Sequence, residues 1–251
     1  MAQESIDTSR HLQRILEAIQ ELMRFHAKTA TPAPLPHQYV GTVVDNTVGL
    51  LMTPANGLDG GKRTIRFSDA SNWLSLMQAV HRSFFSSLQL AIEAGLLAIC
   101  RERGLQVSSR LREDMESEIR KIENAAGDND AIHCGVKHLR SFLKRYRPSF
   151  DDYLESVLTT VSLPNITKAR WRRFFRALSI VRNKASHSDT SLTETERKAL
   201  VEGGCGVMIS KSGDLVMNPR MYAQFVTFTL QFLDLICSTT ASVTGSDGKT
   251  E

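Results

Sequence analysis

The chain has few aromatic residues and no closely spaced cysteines, and both shortages exclude classes of protein. Aromatic residues make up 7% of the 251 residues, beside 41% apolar and 23% charged residues, so the chain is neither disordered nor fibrous. A zinc module or a disulfide oxidoreductase needs paired cysteines. No Cys-x-x-Cys pair occurs, which favours buried thiols in a reducing compartment. The four cysteines are Cys100, Cys134, Cys205 and Cys237.

Long uninterrupted apolar runs are also missing. The first ten residues, "MAQESIDTSR", are polar and lack the apolar segment of a secretory signal, so we expect a cytoplasmic protein. The most membrane-like run, "FVTFTLQFLDLIC", contains Gln231 and Asp234 and is too short to span a bilayer comfortably. We therefore predict a core helix there and no membrane partner.

Residues 1–68 are predicted to form an N-terminal amphipathic helix followed by an irregular arm. Apolar residues recur at helical spacing from about Thr8 to His26, and "TPAPLP" then ends the helix. Beyond it come short β-branched runs such as "GTVV" and the glycine-rich loop "NGLDGGKR". A phosphate-binding loop needs Ser or Thr after its lysine, but Arg63 follows Lys62. A flexible arm or hairpin is the better interpretation of this loop.

Residues 69–240 are predicted to form an all-α helical bundle with a small β-hairpin before the last helix. Successive segments show helical periodicity, with Ser149 as a helix cap and a Ser191 to Glu194 capping box. The segment "GVMISKSGDLVMN" predicts two strands that turn at Ser212 and Gly213. Residues 241–251 are expected to be a disordered tail.

The helix predicted over residues 166–186 combines an apolar face with an unusual density of positive charge. Trp171, Phe174, Phe175, Leu178 and Val181 fall on one arc of the helix, and Arg182 falls inside that arc. The segment contains seven basic residues and no acid. Such a run suits a polyanion, and we predict that it binds RNA. The alternatives are a solvated face and a DNA-binding surface, but no helix-turn-helix signature accompanies the second. Apart from Arg182, the predicted RNA-binding residues are Lys168, Arg170, Arg172, Arg173, Arg176 and Lys184.

The segment "SIVRNKASHSD", residues 179–189, admits three interpretations. It can be a plain helix end, with His187 on the negative end of the helix dipole. It can contain a structural ion pair between Arg182 and a buried carboxylate. It can also be a phosphate-handling site, since arginine grips a phosphate with a bidentate fork and a histidine moves a proton near neutral pH. In the third case the pair could cleave RNA without a metal, with the ribose 2′-hydroxyl as nucleophile.

The six residues "RNKASH", 182–187, resemble the motif of the HEPN superfamily, in which an Arg and a polar residue precede a His near the end of a helix. The resemblance covers most of residues 69–240. It implies a helical bundle and a metal-independent endoribonuclease without cofactor, in which Arg182 and His187 are catalytic and Asn183 supports them. It also implies a homodimer that joins two motifs, and it suggests a toxin or an antiviral-defence effector with an antitoxin or regulatory partner.

One departure from the family bears on regulation. In the toxin branch paired with a nucleotidyltransferase antitoxin, a Tyr follows the His, whereas here Ser188 and Asp189 follow it. The resemblance therefore does not imply control by modification of a Tyr at this position. Some family members are inactive, so the alternative function is a catalytically silent helical module that binds protein or nucleic acid.

Two other groupings are interpreted as structural. Cys134 and His138 share a helix face beside His133, but two ligands without a second cluster indicate a core Cys and a surface His rather than a metal site. Asp151 and Asp152 lie in a first helical turn, where they fit the helix dipole better than acid–base chemistry.

Overall fold

The protein is all-α in a computed structural model that describes residues 2–58, 70–107, 110–127, 129–145, 147–187 and 189–241. Within these ranges the chain forms nine helices and one short antiparallel hairpin before the last helix, which confirms the predicted fold class. The elements are α1 (Ala2–Thr29), α2 (Leu35–Leu58), α3 (Ala70–Glu102), α4 (Arg110–Ala126), α5 (Asp130–Arg145), α6 (Phe150–Thr160), α7 (Asn165–His187), α8 (Glu194–Glu202), β1 (Met208–Ile209), β2 (Leu215–Val216) and α9 (Arg220–Ala241).

The chain divides into two compact units. One contains the described residues up to Gly95 and from Ser162 onward, and the other contains Leu96–Val161. The predicted boundary at residue 68 does not separate these units. The N-terminal helices instead belong with α7, which carries the motif, because α1 and α2 pack on each other and both pack on α9.

The predicted irregular arm is wrong over residues 35–58, which form α2. Val40, Val43, Val44 and Leu51 are buried at helical spacing, and this burial outweighs the weak preference of β-branched residues for strands. Most of the glycine-rich loop, the expected start of the next helix at residues 68 and 69, and the tail from residue 242 lie outside the described residues.

Aromatic side chains from α3, α7 and α9 form the centre of the first unit. The ring centroids of Phe85 and Phe225 lie 5.3 Å apart, and those of Phe175 and Phe232 lie 4.8 Å apart. Edge-to-face ring pairs of this kind favour one packing arrangement over others. The segment "FVTFTLQFLDLIC" is confirmed as a core helix, since it lies in α9 with Phe225, Val226, Phe232, Leu233 and Ile236 buried.

One helical stretch, Met77–Glu102, is long and apolar enough to cross a membrane by length and composition. Half of its most apolar window is buried inside the protein, and the core helix of a globular protein passes the same test.

The segment after α7 fixes where the next helix begins. The helix cap is Thr193, whose hydroxyl accepts from the backbone N–H of Glu196, so the expected Ser191 to Glu194 capping box is wrong. Ser191 is used elsewhere, because it donates to Asp189 at 2.7 Å and forms a bridge with Asp214. The predicted hairpin turn is confirmed at Gly213, whose φ of +88° favours glycine.

The second unit contains a charged pair of helices, α4 and α5. Ile119, Val136 and Leu143 form a small core of their own between the two helices. Cys134 is exposed, which corrects the expectation of a core thiol. The predicted cap of α6 is confirmed, since Ser149 and Asp152 form a complete capping box.

Candidate functional site

Arg182 is held by a residue far away in the sequence. Its side chain is half-buried, and Nε donates a hydrogen bond to Oε1 of Gln89 at 2.9 Å. The two residues are 93 positions apart, on α7 and α3. Leu88, next to Gln89, and Val181, next to Arg182, are both fully buried. The backbone of each helix is therefore held by core packing at the position of this hydrogen bond. The guanidinium is therefore fixed by the packing of two core helices.

The partner of Arg182 is neutral. A structural arginine in a protein interior is normally paired with a carboxylate, but in the described part of the chain no carboxylate forms an ion pair with Arg182. The amide of Gln89 satisfies one of the five guanidinium N–H groups and leaves the positive charge uncompensated. Among the described residues, Arg182 thus does not form the ion pair with a buried carboxylate that one interpretation of the sequence requires.

His187 is the last residue of α7, as the sequence predicts, and its side chain is exposed. Asn183, one turn earlier, is also exposed. Five residues of helix separate Arg182 from His187 by about 7 Å along the axis and by about 140° around it. No hydrogen bond joins the two side chains among the described residues. A single copy of the motif thus presents its cation and its imidazole on different sides of the helix.

The six other predicted RNA-binding residues do not form one surface. At about 100° per residue, Arg172 and Arg176 lie on the flank between Arg182 and His187. Lys168, about one turn before Arg172, lies about 40° around the helix from Arg182 and so on the same flank. Arg172 and Arg176 are both exposed. The remaining three, Arg170, Arg173 and Lys184, lie on the opposite flank.

On that opposite flank, Lys184 is already paired with two carboxylates. Its Nζ lies 3.4 Å from Asp189 and 3.4 Å from Glu196, and its side chain is 14% exposed. Hydrogen bonds from Ser191, with a smaller contribution from Lys184, lower the pKa of Asp189 below its ordinary value. The backbone N–H of Thr193 is the main cause of a lowered pKa at Glu196. Both carboxylates are thus charged at neutral pH and offset the charge of Lys184.

Arg170 and Arg173 face the side of α7 on which α8 packs. The guanidinium of Arg170 lies 5.5 Å from the ring centroid of Trp171 and 5.8 Å from that of Phe228. Arg173 donates to the carbonyl of Ala169, one turn earlier in its own helix. Arg170 therefore covers aromatic surface, a structural role that arginine performs well.

An open groove lies on the exposed side of α3, along the stretch from Gln78 to Ser87. Its volume is about 480 Å³, and its lining is polar except for Ala79. Because residues three and seven positions apart share a helix face, Ser86 and Arg82 lie on the same side of α3 as Gln89. The lining residues are Gln78, Ala79, Arg82, Ser83, Ser86 and Ser87.

Comparison with known proteins adds no relative. No protein-family model matches the chain, and no curated protein or solved structure is significantly similar to it. The resemblance to the HEPN superfamily therefore rests on the residues of the motif and on the helical context. Within the described ranges, no group of three or more His, Cys, Asp or Glu side chains is placed to hold a metal ion.

Sequence reasoning found the position of Arg182 but not its partner. Gln89 stands between Leu88 and Leu90 in an apolar segment, and nothing near it in the sequence relates it to the motif. The carboxylates of Asp189 and Glu196 were also not predicted to face Lys184. Acidic residues two and nine positions after the motif are a weak signal of an ion pair with Lys184, because the path of the chain after α7 decides whether they reach it.

Proposed function

We propose that the protein is a metal-independent endoribonuclease of the HEPN type, with Arg182 and His187 as catalytic residues and Asn183 in support. The observation that carries the proposal is the Arg182 guanidinium, which donates to the neutral Gln89 amide and has no carboxylate partner among the described residues. A half-buried cation without a counter-ion is a binding site for an anion. A phosphodiester is the anion that the acid-free helix α7 favours.

The reaction proposed for the site is a transesterification, in which the ribose 2′-hydroxyl attacks the adjacent phosphodiester. His187 takes the proton of the ribose 2′-hydroxyl, and the 2′-oxygen attacks phosphorus. The bond from phosphorus to the 5′-oxygen breaks, and that oxygen leaves as a hydroxyl with a proton from water, to which His187 returns the proton that it accepted. Arg182 stabilises the charge on the phosphate oxygens. The products are a 2′,3′-cyclic phosphate and a 5′-hydroxyl.

We further propose that the active form is a homodimer. The separation of Arg182 and His187 around α7 makes it difficult for one copy to apply both groups to one phosphate. A two-fold arrangement that joins two motifs gives each phosphate an arginine from one copy and a histidine from the other. Light scattering tests this assembly: we expect a dimer at micromolar concentration, and a strict monomer that still cleaves RNA contradicts it.

The RNA surface proposed for each protomer is the flank of α7 that carries Arg172 and Arg176. Lys168, Arg170, Arg173 and Lys184 complete the predicted set, with Lys184 the weakest contributor because two carboxylates already neutralise it. The cytoplasmic setting, a role as a toxin or antiviral effector, and an antitoxin or regulatory partner are proposed from the family resemblance alone.

The direct test is incubation of the purified protein with total RNA and with tRNA in the presence of EDTA. We expect cleavage that leaves 2′,3′-cyclic phosphate ends. Cleavage that requires magnesium and leaves 5′-phosphate ends contradicts the proposal. The second candidate is the silent binding module, which the separation of Arg182 and His187 around α7 favours. Binding of RNA without cleavage of any RNA supports that candidate.

A further inference from the structure

We propose that Gln89 is a positioning residue that prepares Arg182 to hold a phosphate. This inference deepens the proposed ribonuclease function and rests on it. It concerns a residue on a different helix from the motif, and among the described residues the only hydrogen bond of its side chain is the one it accepts from Arg182 at 2.9 Å.

The atom that Gln89 engages decides how Arg182 can grip a phosphate. A guanidinium can bind two oxygens side-on, through Nε and one terminal nitrogen, or end-on, through Nη1 and Nη2. Because Nε already donates to Gln89, the side-on mode is closed. The end-on mode keeps four N–H donors. In the described part of the chain, none of these four has a protein acceptor.

The chemical type of the Gln89 side chain matters as much as its position. A glutamate of the same length would accept the same hydrogen bond but would bring a negative charge against the guanidinium. That charge would neutralise Arg182 and repel a phosphate at the other end of the same group. A glutamine orients the arginine without competing for its charge.

Rigid placement gives the contact its expected effect on rate. A free arginine side chain loses rotamer entropy when it is fixed. The Gln89 bond restricts that freedom before RNA binds, and the buried neighbours of both residues hold the two backbones. The prepared guanidinium should therefore affect kcat more than KM, because its effect is largest when charge develops on the phosphate.

The test compares Gln89→Glu and Gln89→Met with Gln78→Glu as a matched control. Gln78 is an exposed glutamine on the same helix and has no bond to the motif in the described structure. We expect Gln89→Glu to fold with the thermal stability of the parent, because the carboxylate still accepts from Arg182. Its kcat should fall about 100-fold with a smaller change in KM, the size of effect seen when one preorganised donor is lost. We expect about a tenfold loss for Gln89→Met and less than a twofold change for Gln78→Glu.

If the hydrogen bond between Gln89 and Arg182 only holds α3 to α7, Gln89→Glu should lose less activity than Gln89→Met, because glutamate can still accept the bond and methionine cannot. A Gln89→Glu protein with kcat within about twofold of the parent, in a parent that cleaves RNA, therefore overturns the role of Gln89 and leaves the proposed function standing.

A second measurement does not depend on cleavage. Inorganic phosphate and a non-cleavable 2′-O-methyl RNA are titrated while the NMR signals of the Arg182 side chain, assigned with Arg182→Lys, are followed. We expect both probes to shift these signals in the parent and in Gln78→Glu but not in Gln89→Glu. If this pattern appears in a parent that cuts no RNA, the ribonuclease proposal fails and the positioning of an anion-binding arginine stands. If neither probe shifts the Arg182 signals, the positioning role is overturned.

Discussion

The hydroxyl of Tyr222 and the Nδ1 atom of His81 lie 2.7 Å apart in the centre of the first unit, where both side chains are buried. The pair links α9 to α3, the helix that also carries Gln89. Burial lowers the pKa of His81 to about 4, from an ordinary value of about 6.5. Neutral His81 is therefore part of the native packing, and its protonation opposes folding.

The first prediction concerns the pH dependence of stability. Because the pKa of His81 is lower in the folded than in the unfolded chain, its contribution is complete above pH 6.5 and is lost as the pH falls toward 4. Between pH 6.5 and pH 5 the loss should be about 1.5 kcal/mol of unfolding free energy. Urea unfolding at a series of pH values measures it. His81→Gln, which cannot titrate, should have a shallower slope than the parent and than the exposed-histidine control His138→Gln. Parallel slopes contradict this role of His81.

The second prediction separates the chemistry of His187 from folding. His187 is exposed at the end of α7, so His187→Ala should leave the melting temperature within about a degree or two of the parent. If His187 accepts the 2′-hydroxyl proton, the cleavage rate should fall by about two to four orders of magnitude. His138→Ala is the control for removal of an exposed histidine. Parental activity in His187→Ala would remove this residue from the reaction.

The third prediction concerns the shape of the Arg182 side chain. Arg182→Lys keeps the charge but loses the planar fork, so we expect cleavage to fall about 10- to 100-fold. The same change at the exposed Arg176, on the same helix, should have less than about a threefold effect. Circular dichroism checks that both variants fold. Equal activity in the two variants would show that Arg182 acts only as a point charge.

The fourth prediction tests whether the catalytic groups come from different protomers. His187→Ala and Arg182→Lys proteins, whose separate activities are measured first, are mixed and allowed to exchange subunits. In a two-fold dimer with shared sites, half of the dimers are mixed and each has one intact site, so about a quarter of the parental activity should return. Sites formed within one protomer give no such recovery.

The fifth prediction ranks two basic residues of α7 by their surroundings. Within the described residues Arg176 has no carboxylate partner, whereas Lys184 has Asp189 and Glu196. Arg176→Gln should therefore weaken RNA binding and reduce the slope of log affinity against log salt by about one unit. Lys184→Gln should change the slope by less than half as much, and should also lower stability by loosening the end of α7. Equal slopes for both variants contradict the ranking.

The sequence alone determined the helical class, the position of Arg182 within an apolar stripe, and the end of α7 at His187. Each of these depends on local chemistry, because helical periodicity, capping residues and glycine turns act over a few residues. The same local reasoning was wrong for residues 35–58. There the β-branched residues of α2 are held in a helix by burial against α1 and α9, which no local preference can report.

Whether each charged side chain has a partner of opposite charge was decided only by the tertiary structure. The periodicity of α7 turns Arg182 inward, but the packing of α3 on α7 places Gln89 there and not a carboxylate. In the same way, the chain path through Asp189 and Glu196 neutralises Lys184, which in the sequence is simply one more cation of a basic run. Electrostatic effects depend on distance through space and on burial, and residues far apart in the chain set both.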